Sequence, residues 1–149
     1  FPMVLFFLFT FCAVVVLLLS IRIYESITDN SYRNNVSRTA LTYVSEKIHQ
    51  NDCGSSVSVE ELDGIPALKI THTDTKDGYV TYIYCRENEL QELFIRDDIV
   101  PDADAGSRIA NVTVFDIMLL SPSLLQLSCE DEMGNHFQTL VGIRSIAER

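Results

Sequence analysis

Charge is missing from the start of this sequence. From Phe1 to Leu19 the chain reads FPMVLFFLFTFCAVVVLLL, with Thr10 and Cys12 as its only mildly polar members. At 1.5 Å rise per residue a helix of this run spans about 29 Å, close to the hydrocarbon thickness of a bilayer. The 11 basic and 21 acidic residues therefore all fall between Arg22 and Arg149, and they leave a net charge of −10. Glycine and proline are also missing between Met3 and Cys53. Without these breakers no tight turn interrupts the segment, and the sequence predicts one long helix over residues 3–51. Clustered basic residues are lacking as well. That argues against nucleic acid as a partner, because a polyanion is bound by grouped Lys and Arg that displace counterions.

Catalytic signatures are absent. His49, His72 and His136 stand apart, with no HExxH, GxSxG or Cys/His pairing and no glycine-rich phosphate loop. The expectation is a protein that is not an enzyme and uses no cofactor. The four cysteines, Cys12, Cys53, Cys85 and Cys129, lack metal-site spacing. Cys12 belongs to the apolar run. One disulfide among Cys53, Cys85 and Cys129 is open to an extracytoplasmic chain, and the sequence does not choose the pair. Asp98, Asp102 and Asp104 suit calcium by chemistry, but the EF-hand spacing is not met and a solvated acidic turn is the simpler expectation.

What is present sorts by period. Val36, Ala40, Val44 and Ile48 recur four apart with Leu41 beside them, an apolar stripe for packing on a sheet. The other face carries Arg38, Glu46, Lys47 and Gln50. Ser26–Asn35, rich in Thr, Asp, Asn and Ser, is the place where the helix is expected to bend if it bends at all. After Gly54 the period falls to two. Strands are expected at 57–59, 67–71, 79–85 and 90–95, followed by an acidic loop over 97–107. Further strands are expected at 109–120, 124–129 and 136–143. On the face shared by Leu125, Leu127 and Cys129, Cys129 should be buried. The fold class expected is α+β, a long N-terminal helix packed on an antiparallel sheet. Residues 1–21 form its transmembrane half, and 22–149 form an extracytoplasmic domain with helix over 22–52 and sheet over 55–146.

This order of elements resembles the type IV pilin architecture. The segment Arg38-Thr-Ala-Leu-Thr-Tyr-Val-Ser-Glu-Lys-Ile-His-Gln50 is similar to the distal helix of minor pseudopilins. It is also similar to small pilin-like proteins of Gram-positive bacteria, in which a hairpin like Tyr79–Phe94 follows. The resemblance implies a single-pass membrane protein that later joins an extracellular filament with copies of itself or other pilins. Leu5, Phe6, Phe9, Thr10 and Ala13 would then pack between subunits. A membrane-tethered sensor or binding ectodomain is the alternative.

The resemblance also implies removal of a short basic leader and N-methylation at Phe1, although a sequence trimmed of its first residues would look the same. One position departs from the pattern. Most pilins carry Glu as their fifth mature residue, and here it is Leu5, as in subunits that sit at a filament tip. Mass spectrometry of the mature protein is expected to find a methylated Phe1 as the first residue. A longer intact N terminus would count against the pilin resemblance.

Overall fold

The computed structural model describes residues 1–52, 56–72 and 78–144, with side chains throughout these ranges except 22–35. It divides into two units, Phe1–Asn35 and Val36–Arg149. The first is wholly helical from Pro2 onward and belongs to α1, which spans Pro2–Asn51. Pro2 sits in the first turn, where a missing N–H costs nothing. Residues 26–35 are helical too, so the stretch of weak propensity does not unwind.

Among the described residues the second unit contains the end of α1 and eight strands. β1 (Val57–Leu62), β2 (Ile65–His72), β3 (Tyr79–Arg86), β4 (Glu89–Arg96) and β5 (Ser107–Asn111) form an antiparallel meander in that order. β6 (Val114–Ser121), β7 (Leu124–Glu130) and β8 (His136–Gly142) form a second one. Turn chemistry fixes the first hairpins. Asp63 and Gly64 join β1 to β2 with φ of 52° and 79°, and Glu87 and Asn88 join β3 to β4 with φ of 54° and 63°. Positive φ at both central residues matches the right-handed twist of the flanking strands.

Two strand expectations are corrected. The single sheet over 55–146 is two sheets, and the last strand ends at Gly142. The expected strand over 109–120 is broken at Val112 and Thr113, with its halves in different sheets. The break has a hydrogen-bonding cause. The Val112 N–H donates to Asn88 O at 3.1 Å, on the first sheet's hairpin. The next N–H, Thr113, donates to Glu130 O at 2.8 Å, on the second sheet. The inward residues change phase across the break, with Val112 buried before it and Phe115 after it.

The main core lies where α1 and the two sheets meet. Ala40, Leu41, Val44 and Ile48 of α1 join Val57, Leu68, Ile70, Ile83 and Leu90 of the first sheet and Phe115, Leu125, Leu127, Cys129 and Val141 of the second. Val44 and Ile48 are fully buried, while Val36 is half-buried at the start of the stripe. β7 alternates as expected, with Leu125, Leu127 and Cys129 inside.

The opposite face of the first sheet carries a second core of Leu62, Ala67, Val80, Tyr82, Tyr84 and Leu93, closed by Ala103. Its cover is the acidic loop, which holds a 3₁₀ turn at Ala103–Ala105. Asp63 accepts a hydrogen bond from the Ala103 N–H at 3.0 Å, and Tyr84 Oη donates to Ala103 O at 2.9 Å. Gly106 sits against the same tyrosine, where a Cβ would lie 2.2 Å from Tyr84 Oη and 2.9 Å from Gln91 Oε1. β3 is thus covered on both faces, which explains its nearly unbroken apolar run.

Two substitutions test these cores. Val44→Asp places an unpaired carboxylate in the main core and should cost about 3–5 kcal/mol. Gly106→Ala forces Tyr84 or the loop to shift and should cost about 1–3 kcal/mol. An unchanged melting temperature for either variant would refute the corresponding packing.

Candidate functional site

The feature with the clearest chemical bias is the first segment of α1. Pro2–Ile21 is long and apolar enough to cross a membrane, with mean hydropathy 3.0, and none of it is buried within the protein. Leu5, Phe6, Phe9, Thr10 and Ala13 are all exposed. Apolar surface left open on this scale marks a contact with lipid or another chain. The polar side chains are already satisfied. Thr10 Oγ1 donates to Phe6 O at 2.9 Å, and Ser20 Oγ donates to Val16 O at 2.8 Å. In hydrocarbon, where an unmet donor costs several kcal/mol, these bonds remove the penalty.

The stripe of α1 is anchored at its rim by a polar latch that the sequence reading missed. Glu92 on β4 pairs across the ladder with Ile83 and so faces the main core. Its Oε2 accepts from Tyr43 Oη, and Lys47 Nζ lies 2.8 Å from its Oε1. Lys47 therefore belongs to the packed flank and not to the free face expected for it. The available signal was spacing, since Tyr43 and Lys47 are four apart and flank Val44. Burial raises the Tyr43 pKa, and the bond to Glu92 adds to it. Burial opposes charge on Lys47, yet its bonds to Glu92 and Tyr43 leave its pKa raised. Past the helix end, the Arg144 N–H donates to both Asp52 carboxylate oxygens at 3.1 and 3.0 Å.

The calcium candidates are not brought together. Asp98 pairs with Arg96 at 2.7 Å, Asp104 pairs with Arg86, and Asp102 caps the 3₁₀ turn by accepting from the Asp104 N–H at 2.8 Å. Among the described residues no group of three or more His, Cys, Asp or Glu side chains could hold a metal. The loop between β7 and β8 instead closes on one buried carboxylate. Asp131 Oδ1 accepts from the N–H groups of Met133 and Asn135, each at 2.9 Å, and its Oδ2 accepts from Asn135 Nδ2 at 2.8 Å.

Cys85 and Cys129 are free thiols, and Cys53 lies outside the described residues. Cys129 Sγ faces Ser37 O at 3.9 Å, and Cys85 Sγ faces Val112 O at 3.3 Å. Burial raises both thiol pKa values. For Cys129, with Asp131 and Cys85 adding to burial, the value reaches about 11.

With this geometry in place, one family comparison is decisive. The profile described as a domain of unknown function, DUF4860, matches residues 35–132. The chain belongs to the DUF4860 family. The DUF4860 match runs from the packed half of α1 through β7, so it takes in the stripe, Glu92, the first sheet and two strands of the second. No curated protein and no solved structure matches the chain.

Two measurements probe the latch and the thiol. Glu92→Gln keeps the shape but weakens a charge-assisted bond, and should lower stability by about 1–2 kcal/mol in a melting experiment. Loss of nothing would show that the latch is idle. Above its ordinary pKa, the Cys129 thiol ionises in the unfolded chain before it does in the folded one. Stability should therefore fall between pH 9 and about 11, and Cys129→Ala should flatten that slope.

Proposed function

We propose that this chain is a structural subunit, a pilin or minor pseudopilin, of a type IV pilus-like or secretion or competence filament. It is held in the cell membrane by its first apolar segment and polymerises through that segment. One observation carries the reading: a single helical element, α1, has an apolar stretch at Pro2–Ile21 with no cover of its own and a stripe at 36–48 built into the core of a small sheet domain. Lipid and a bundle of like helices are the two environments that suit the first stretch. Both accept it unchanged, since the hydroxyls of Thr10 and Ser20 already bond to the helix backbone.

Helix association within lipid gains little from apolarity and depends on close approach, so Thr10, Cys12, Ala13 and Ser20 are the places where subunits pack most tightly. Leu5 removes the usual carboxylate partner of a neighbouring N terminus. That suits a tip subunit, or a shaft held by apolar packing alone. The partners are copies of this chain or other pilins, and the location is the membrane first and an extracellular filament afterwards.

Shearing cells and assaying the filament fraction tests the proposal. The protein is expected in that fraction, dominant if it builds the shaft and in trace amounts if it caps the tip. Complete retention in the membrane by cells that carry filaments would overturn the reading.

A further inference from the structure

The ladder between β4 and β5 stops at the Glu92–Ser107 pair, while β4 itself runs on to Arg96. Phe94 therefore has no strand partner on the β5 side among the described residues, and a cleft of about 510 Å³ opens there. Its walls include Tyr43, Glu92, Phe94, Ser107, Arg108 and Ile109, and its size is that of a small-molecule site. Phe94 is 56% exposed, yet its ring is held in place. It stacks on Tyr79, with centroids 5.0 Å apart and planes 6° from parallel, and makes a T-shaped contact with His72 at 5.5 Å. Tyr79 lies on β3 and the cleft on the other side of β4, so the ring face turned away from Tyr79 borders the cleft. Neither core cluster of the described residues uses that ring.

Charge decides which class of ligand the cleft suits. Glu92 is paired with Lys47 at 2.8 Å, and Arg108 with Glu89 at 3.2 Å. Lys47 also sits over the Tyr43 ring, 5.5 Å from its centroid, and takes up that aromatic face. An ion entering the cleft would find each of these charges already balanced. A carboxylate and a guanidinium nevertheless have more hydrogen-bonding positions than one ionic partner fills. An open aromatic face beside planar polar groups with no net charge suits a ring that is apolar on one side and carries hydroxyls around its rim.

We propose that this cleft binds a neutral saccharide, with one sugar ring lying on Phe94 and its hydroxyls bonded to Glu92, Ser107 and Arg108. The C–H face of the sugar displaces water from the aromatic ring, while each hydroxyl exchanges a bond to water for a bond to the cleft. Stacking on Tyr79 fixes the Phe94 ring in advance, so little side-chain freedom is lost on binding. The inference goes beyond the filament reading and stands without it, because binding is measured on the isolated chain.

Saturation-transfer NMR on the full chain, held in a detergent without a sugar headgroup, tests the cleft. The probes are glucose, galactose, N-acetylglucosamine and their β-linked dimers, with choline and acetate as charged comparisons. Transfer to the ring C–H protons of at least one sugar is expected, and none to choline or acetate. Phe94→Ala should abolish it and Phe94→Trp should keep it. Arg108→Ala should weaken sugar affinity about tenfold. The Arg108 side chain is 61% exposed, so this variant should melt with the parent, and it decides alone if Phe94→Ala does not fold. Absence of transfer to every sugar would overturn the proposal. So would a preference for choline or acetate, or sugar binding that both Phe94→Ala and Arg108→Ala leave unchanged.

Discussion

Burial of one side of α1 from Val36 onward is the constraint on which the rest of the sheet domain depends. Val44 and Ile48 have no exposed surface, and the residues that cover them come from both sheets. A helix stripe is too narrow to cover two sheet faces alone, so the sheets must also close on each other beside it. The crossing at Val112 and Thr113 makes that closure, bonding to the β3–β4 hairpin on one side and to β7 on the other. The face of the first sheet turned away from the helix would remain wet. The loop with Ala103 covers it, at the cost of requiring glycine at position 106.

Much of this was legible in the sequence because periodicity reports burial directly. Ala40, Val44 and Ile48 repeat at helical spacing, and Leu125, Leu127 and Cys129 repeat at strand spacing, so their inward faces follow. The missing glycine and proline marked out α1. The division into two sheets was not legible. Ile109–Leu120 is apolar almost throughout, so its sequence does not mark the point where the hydrogen-bond partners change sheets. The Glu92 latch stayed hidden for a related reason. A carboxylate that faces inward at a rim looks, in sequence, like any solvent-facing residue of a half-buried strand.

The candidate site was readable by type and less so by arrangement. An uncharged run of bilayer length announces itself, and its exposure in the structure agrees with that reading. The acidic loop was ambiguous by composition. Its carboxylates turn out to be spent within the fold: Asp102 on a cap, Asp98 and Asp104 on arginines, and Asp63 on the loop backbone. Carboxylates satisfied in this way bind the loop down, while the apolar Val100 stays almost fully exposed.

The sheets pair neighbours in sequence, whereas the helix reaches across the chain. Ser37 meets Cys129 and Asp52 meets Arg144, and each pair is separated by 92 positions. Local hairpins close quickly, and distant contacts wait for the intervening chain. During synthesis the stripe of α1 therefore emerges first and acquires its last cover only when β7 and β8 have been made. For that interval it is an apolar helix in search of a partner.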